Sequence, residues 1–122
     1  MPQKKFSLKA RIQSFRYAFN GLKILFTEEH NARIHLLAAI IAISLGFYVQ
    51  LSIGEWIVLS TVICLVFILE IINSALENLC DLIRTEEHPL IKKIKDLAAS
   101  AVLIASILAL VVGALIFVPK LI

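Results

Sequence analysis

Three long apolar segments constrain the fold of this chain more than any other feature. They cover about residues 34–51, 56–79 and 97–118, and each is long enough as a helix to cross about 30 Å of hydrocarbon. The chain has 122 residues, 60% of them apolar, and a mean hydropathy of +0.92. Soluble domains are only about 45–50% apolar. We therefore expect an all-α integral membrane protein that forms a single domain over residues 1–122.

The segment before the first span predicts an amphipathic surface helix over residues 6–28. Apolar residues recur there at steps of three and four, from Leu8 to Phe26, and basic residues occupy other positions. This pattern is typical of a helix that lies along the membrane interface, although a basic soluble helix shares it. Further along, we expect a charged link over 28–33, a tight hairpin over 50–55 and a charged connection over 81–96, which Pro89 interrupts.

The distribution of basic residues predicts the orientation in the membrane. Residues 1–33 contain seven of the twelve Lys and Arg residues, and the connection between spans two and three contains four. The positive-inside rule therefore places the amino terminus and this connection on the cytoplasmic side. The net charge of +3 is modest, and no nucleic-acid partner is expected.

An acidic stripe lies at the cytoplasmic end of span two. On a helix, Glu70, Asn73, Glu77 and Asp81 share one face about 80° wide. A carboxylate at membrane depth costs about 2.5–3.5 kcal/mol on insertion scales, so such a row needs a partner or a function. A polar seam that joins helices is the structural alternative. Because three carboxylates in register repel one another unless a cation lies among them, we favour a functional site.

The residue types in this region suit phosphoryl transfer. Glu29 and Glu77 are hard oxygen ligands of the kind that Mg²⁺ takes when it also binds substrate phosphates, and Lys95 can meet a phosphate. Glu70, about 10 Å deeper than Glu77, could act as a general base. The glycine-rich nucleotide motifs are missing from the sequence. Spacing alone therefore leaves open a second class, an ion-translocating bundle with buried acids.

Two motifs carry a resemblance to a known family. They read Glu70-x-x-Asn73-Ser74-Ala75-x-Glu77-x-x-x-Asp81 and Lys95-Asp96-x-Ala98-Ala99-x-Ala101-Val102-Leu103. In order and spacing they resemble the signature of the prokaryotic diacylglycerol kinase family, small three-span lipid kinases that include the undecaprenol kinases. The resemblance implies ATP as phosphoryl donor, Mg²⁺ as cofactor and a membrane lipid alcohol as acceptor. It also implies a homotrimer in the bacterial inner (cytoplasmic) membrane.

The resemblance also implies roles for individual residues. Glu70 matches the general base, and Glu29 and Glu77 match metal-binding carboxylates that also contact the nucleotide. The other nucleotide-binding positions are Tyr17, Glu86, His88, Lys95 and Asp96. The substrate-binding positions are Glu70, Asn73, Arg33 and Ala99. Family members carry a basic residue near position 10, where this chain has Ala10, so Arg11 or Arg16 could make that nucleotide contact.

Several residues have a structural alternative. Arg33 either binds a lipid phosphate or only follows the positive-inside bias. His30 and His35 flank the entry to span one, and we expect interfacial hydrogen bonds there rather than metal binding. Cys64 and Cys80 are sixteen residues apart, about 24 Å along a helix, which is too far for a disulfide.

We therefore expect a membrane lipid kinase, and its acceptor is either undecaprenol or diacylglycerol. Three features resemble the undecaprenol-directed branch more closely: the run from Glu28 to His35, the Glu55-Trp56 pair and the Pro119-Lys120 ending. The alternative from another class is a small ion-conducting or transporter subunit, which would show ion flux without ATP consumption.

Overall fold

The computed structural model describes residues 5–122, which form four α-helices and contain no strand. They are α1 (Leu8–Glu28), α2 (His30–Tyr48), α3 (Ile53–Ile83) and α4 (Pro89–Leu121). The last three are long and apolar enough to cross a membrane, which confirms the prediction of an all-α protein with three spans. Residues 1–4, which belong to the predicted domain, lie outside the described part of the chain.

A single extended residue separates α1 from α2. Glu29 has φ −105° and ψ 114°, and α2 already begins at His30, whereas the sequence predicted a charged link over 28–33. The difference arises because no Gly or Pro interrupts the residues after Glu29, so the helix can begin at once. At its other end, α1 is capped by the Ser7 hydroxyl, which accepts from the Ala10 amide at 3.3 Å.

The turn between α2 and α3 is as short as predicted, and two local motifs define it. Gln50 has a left-handed φ of 57°, and the Leu51 amide donates to the Gly46 carbonyl at 3.1 Å. This pattern is a Schellman ending, in which Gln50 takes the position that glycine usually occupies. Ser52 and Glu55 then form a capping box that starts α3.

An apolar cluster lies at this same end of the bundle. Leu51, Leu59 and Phe117 are buried together, and Trp56 packs against them from the start of α3. Gly46 has no room for a side chain, because a Cβ there would lie 2.6 Å from the Trp56 ring. A Lys120–Glu55 ion pair of 3.2 Å also joins the end of α4 to the start of α3. These contacts hold the ends of α2, α3 and α4 together opposite the acidic stripe.

Residues 84–88 form the connection between α3 and α4, which is shorter than the predicted connection over 81–96. Pro89 is the first residue of α4, a position where its missing amide and fixed φ are favourable. The Nδ1 atom of His88 caps this helix by accepting from the Leu90 amide at 3.1 Å. The break before Pro89 was expected, but the charged residues 92–96 belong to the first turns of α4. α3 and α4 form the most extensive helix pair in the structure.

Candidate active site

The acidic stripe meets the α1–α2 junction and the first turns of α2. Glu70 and Ser74 are the two polar side chains among the buried residues of the structure, with relative exposures of 2% and 7%. Glu29 is hydrogen-bonded to Ser74 and Glu77 to Asn73, and both partners lie within four residues of Glu70 on α3, so the three carboxylates share one region of the structure. We call Glu29, Glu70 and Glu77 the acidic cluster. Glu29 lies 41 residues before Glu70 in the sequence. The cluster therefore forms only because the chain turns between helices and α3 packs beside the α1–α2 junction.

Glu70 lies deepest in the acidic cluster. Its Oε1 atom is 3.3 Å from Nε2 of His35, on the neighbouring helix α2. Oε1 is fully buried and has no hydrogen bond of good geometry among the described residues, so the contact with His35 is close but not aligned. A buried carboxylate oxygen without a hydrogen bond is costly. Oε1 is therefore the oxygen of Glu70 that still needs a hydrogen-bond donor.

Glu29 reaches the same region from the break between α1 and α2. Its Oε1 atom accepts a hydrogen bond of 2.9 Å from the Ser74 hydroxyl, across 45 residues of sequence. Because Glu29 is extended rather than helical, its side chain leaves the helix axis and can approach α3. The Ser74 hydroxyl therefore anchors one oxygen of Glu29.

Glu77 and Asn73 form a second pair, one helical turn apart on α3. The Asn73 Nδ2 atom donates to Glu77 Oε1 at 3.2 Å. The other end of the same amide, Oδ1, is buried without a hydrogen-bond partner in the described part of the chain. An unpaired buried acceptor can receive a hydroxyl or a metal-bound water. Asn73 thus orients Glu77 and offers one free acceptor to the site.

Two members of the acidic cluster, Glu29 and Glu77, have the chemistry to hold a magnesium ion that is shared with a substrate. Mg²⁺ usually binds one or two protein carboxylates, keeps several waters and takes its other ligands from substrate phosphates. Glu29 and Glu77 supply two such carboxylates, each with one oxygen already oriented by a hydrogen bond. Within residues 5–122 no group of three or more His, Cys, Asp or Glu side chains could hold a metal on its own. Two oriented carboxylates are the number that Mg²⁺ commonly takes from a protein when substrate phosphates supply further ligands.

A second feature is a small cavity of about 160 Å³ at the α3–α4 connection. Four of the predicted nucleotide-binding residues line it together: Glu86, His88, Lys95 and Asp96. The Lys95 ammonium donates to Asp81 at 2.7 Å, and Lys92 pairs with Asp96 at 2.6 Å. Lys95 precedes the apolar part of α4, and its hydrogen bond to Asp81 raises the pKa of the ammonium. The cavity thus combines fixed positive and negative groups at the end of the bundle that carries the acidic cluster.

Other residues that the sequence singled out lie away from these contacts. Tyr17 on α1 is 68% exposed, and Ala99 on α4 is also exposed. Arg11 and Arg16 are exposed on α1, next to the half-buried Ala10. The structure does not bring these residues into contact with the acidic cluster within one chain.

Arg33 has a contact that the sequence did not suggest. Its Nε atom donates to the Phe26 carbonyl at 2.8 Å, and Nη2 donates to the Thr27 carbonyl at 2.6 Å. These are two of the last four carbonyls of α1, which have no partner inside the helix. Arg33 therefore caps α1 and supports the junction that carries Glu29. The predicted contact of Arg33 with a lipid remains a prediction.

Sequence reasoning underestimated two residues of the site, His35 and Ser74. His35 was expected to hydrogen-bond at the membrane interface, but it lies beside Glu70. Ser74 was part of a motif and had no assigned role, although it anchors Glu29. The spacing could have indicated a role for Ser74, because Ser74 follows Glu70 by four residues and therefore lies on the same helix face.

Fold and site together define a helical membrane protein with an acidic, oxygen-rich site at one end of its bundle. Comparison with known proteins shows the particular family. Residues 16–117 match the family described as prokaryotic diacylglycerol kinase, so the chain belongs to that family. It is accordingly an enzyme, a lipid kinase, and it uses ATP as its phosphoryl donor in a bacterial membrane. The alternative of an ion-conducting subunit finds no support in this comparison.

The chain is similar both to a protein named undecaprenol kinase and to proteins named diacylglycerol kinase. It is 40% identical over 109 residues to the undecaprenol kinase of Bacillus subtilis, and the match covers 89% of both chains. It is also 40% identical over 109 residues to a diacylglycerol kinase of Synechocystis, but it spans only 62% of that protein. The diacylglycerol kinase of Escherichia coli K12 is 32% identical over 100 residues, which cover 82% of each chain.

Proposed function

We propose that the chain transfers the γ-phosphate of ATP to the hydroxyl of undecaprenol, and that diacylglycerol is the alternative acceptor. The similarity to the undecaprenol kinase of Bacillus subtilis extends over 89% of both chains, which supports this choice. The diacylglycerol kinase of Synechocystis has the same identity to the chain, 40%, but the match covers only 62% of that protein. The sequence left both acceptors open and favoured undecaprenol.

The observation that carries the mechanism is the buried, incompletely bonded carboxylate of Glu70. In the proposed reaction Glu70 accepts the proton of the lipid hydroxyl while the hydroxyl oxygen attacks the γ-phosphorus in line. The new oxygen–phosphorus bond forms as the bond from the γ-phosphorus to the bridging oxygen breaks, and ADP leaves. Phosphoryl transfer depends mostly on positioning and charge neutralisation, so a base and oriented oxygen donors suffice.

Glu29 and Glu77 would hold a magnesium ion, which supplies neutralising charge to the phosphates when it is bound. Ser74 and Asn73 keep these carboxylates in place through the two hydrogen bonds described above. Asn73 also has a free acceptor, Oδ1, for orienting the lipid hydroxyl. Lys95, Asp96, Glu86 and His88 bind the nucleotide from the cavity at the α3–α4 connection.

The remaining proposed contacts come from α1 and from the lipid side. Tyr17, together with Arg11 or Arg16, reaches the nucleotide from α1, while Ala99 contacts the lipid. In this arrangement α1 is amphipathic and lies along the inner surface of the membrane. The basic amino-terminal segment and the α3–α4 connection face the cytoplasm, where ATP is available.

We also propose that three copies assemble as a homotrimer, each a single domain over residues 1–122. Support comes from the small share of each span that is buried within one chain. The exposed positions of Tyr17 and Ala99 agree with a site that neighbouring copies complete.

The test is a lipid phosphorylation assay with purified protein, labelled ATP and both lipids in parallel vesicle preparations. Phosphorylated undecaprenol should exceed phosphorylated diacylglycerol at equal lipid content. Glu70→Gln should lower kcat by about 10²–10⁴-fold, because the variant keeps the size of the side chain but lacks the base. ATP binding should hardly change, because Glu70 lies below the phosphates. Glu28→Gln, at an exposed carboxylate, is the matched control.

Two results would contradict the proposal. A Glu70→Gln enzyme that binds ATP normally and phosphorylates lipid at nearly the wild-type rate would exclude Glu70 as the base. Faster phosphorylation of diacylglycerol than of undecaprenol would reverse the assignment of the acceptor.

A further inference from the structure

The contact between His35 and Glu70 has no role in the mechanism described so far. His35 Nε2 lies 3.3 Å from Glu70 Oε1, and the two side chains are 25% and 3% exposed. His35 is also part of the wall of an apolar cavity among α2, α3 and α4, with a volume of about 360 Å³. The imidazole therefore borders this cavity and lies next to the proposed base.

Glu70 needs a hydrogen-bond donor if it is to work as a base. An ionised carboxylate that is removed from water without a donor is strongly disfavoured. Glu29 and Glu77 carry charge of the same sign and are hydrogen-bonded to Ser74 and Asn73, within four residues of Glu70, so they add to this cost. The hydroxyl proton of Ser74 is donated to Glu29, and the Asn73 amide nitrogen is hydrogen-bonded to Glu77. Among the contacts of the described residues, His35 is the group that can donate to Glu70.

We propose that His35 is a positioning residue for Glu70. Its Nε2–H donates to Glu70 Oε1, which fixes the orientation of the carboxylate and leaves Oε2 to accept the proton of the lipid hydroxyl. Hydrogen bonds of catalytic groups are often long before the substrate binds, and a small rotation of the imidazole would align the present 3.3 Å contact. This inference rests on the proposed function, because it assumes that Glu70 is the base.

Two substitutions at position 35 separate a hydrogen-bonding role from a packing role. His35→Leu removes the hydrogen-bond donor, while the leucine side chain can still pack in the apolar cavity wall. We expect kcat to fall by about 10-fold, because the interaction with Glu70 is lost. The KM values for ATP and lipid should stay within about twofold of wild type, because the proposed role of His35 is to position Glu70 rather than to bind a substrate. His35→Gln keeps an amide donor of similar reach and should retain most of the wild-type kcat. His30→Leu, at the exposed start of α2, is the matched control.

A double-variant cycle tests whether His35 acts through Glu70. When Glu70 is already glutamine, the added His35→Leu change should have no further effect on the residual phosphorylation rate. The proposal is overturned if His35→Leu keeps the wild-type kcat, or if His35→Gln is as slow as His35→Leu. It is also overturned if His35→Leu slows the Glu70→Gln enzyme by the same factor as the wild type. Full activity of Glu70→Gln alone would instead contradict the proposed function.

Discussion

Arg33→Gln should destabilise the α1–α2 junction, because the substitution removes the hydrogen bonds of Arg33 to the end of α1. The Arg33 guanidinium donates to the Phe26 and Thr27 carbonyls at the end of α1. Hydrogen bonds of this kind contribute about 1 kcal/mol each at an exposed site, so their loss in Arg33→Gln should cost about 2 kcal/mol. The shorter glutamine side chain cannot span both carbonyls. We therefore expect the α1–α2 junction, which carries Glu29, to open more often.

Hydrogen–deuterium exchange of the amides over residues 25–33 measures this opening directly. A loss of about 2 kcal/mol corresponds to exchange that is about 30-fold faster, because 1.4 kcal/mol is a factor of ten. Arg33→Lys keeps the positive charge, but the lysine ammonium can reach only one of the two carbonyls. Amide exchange over residues 25–33 should therefore accelerate by about half as much as in Arg33→Gln, on a logarithmic scale. Lipid phosphorylation should fall with the loosening of Glu29, while the KM for lipid stays nearly constant.

The opposite pattern would refute this reasoning. If Arg33 serves a lipid phosphate instead, Arg33→Gln should raise the KM for lipid and leave amide exchange at the α1–α2 junction unchanged. Arg33→Lys should then behave almost like the wild type, because its ammonium still meets a phosphate.

Three further predictions concern the metal, the orientation and the packing of the bundle. Glu77→Gln should lose most turnover and need more Mg²⁺, whereas Asp81→Asn should do less; near-normal turnover of Glu77→Gln at low Mg²⁺ would contradict the metal assignment. A reporter fused after Ile122 should lie outside the cytoplasm, and a cytoplasmic signal would reverse the orientation. Gly46→Ala should lower the unfolding free energy in detergent titrations by about 1–3 kcal/mol, because its Cβ would press on Trp56; unchanged stability would show that the ring moves freely.

Composition and periodicity alone determined the class of the fold. The three apolar segments are long enough to span a membrane, and this property is local to each segment. The distribution of Lys and Arg predicts an orientation in the same way, without reference to contacts. The spacing of the acidic stripe is also local, because residues three, four and seven apart lie on one face of any helix.

Residues far apart in the sequence were paired only by the tertiary structure. Ser74 contacts Glu29, 45 positions away, because the extended Glu29 interrupts the helix between α1 and α2 and its side chain reaches α3. His35 contacts Glu70, 35 positions away, because α2 packs beside α3. A sequence pattern contains no information on which faces of two helices meet, since that depends on side-chain packing along their whole length. The same limit explains Arg33, whose capping of α1 requires the chain to turn sharply at one residue. The residue types of the site were therefore predictable, whereas their partners were decided by the packing of α1, α2 and α3.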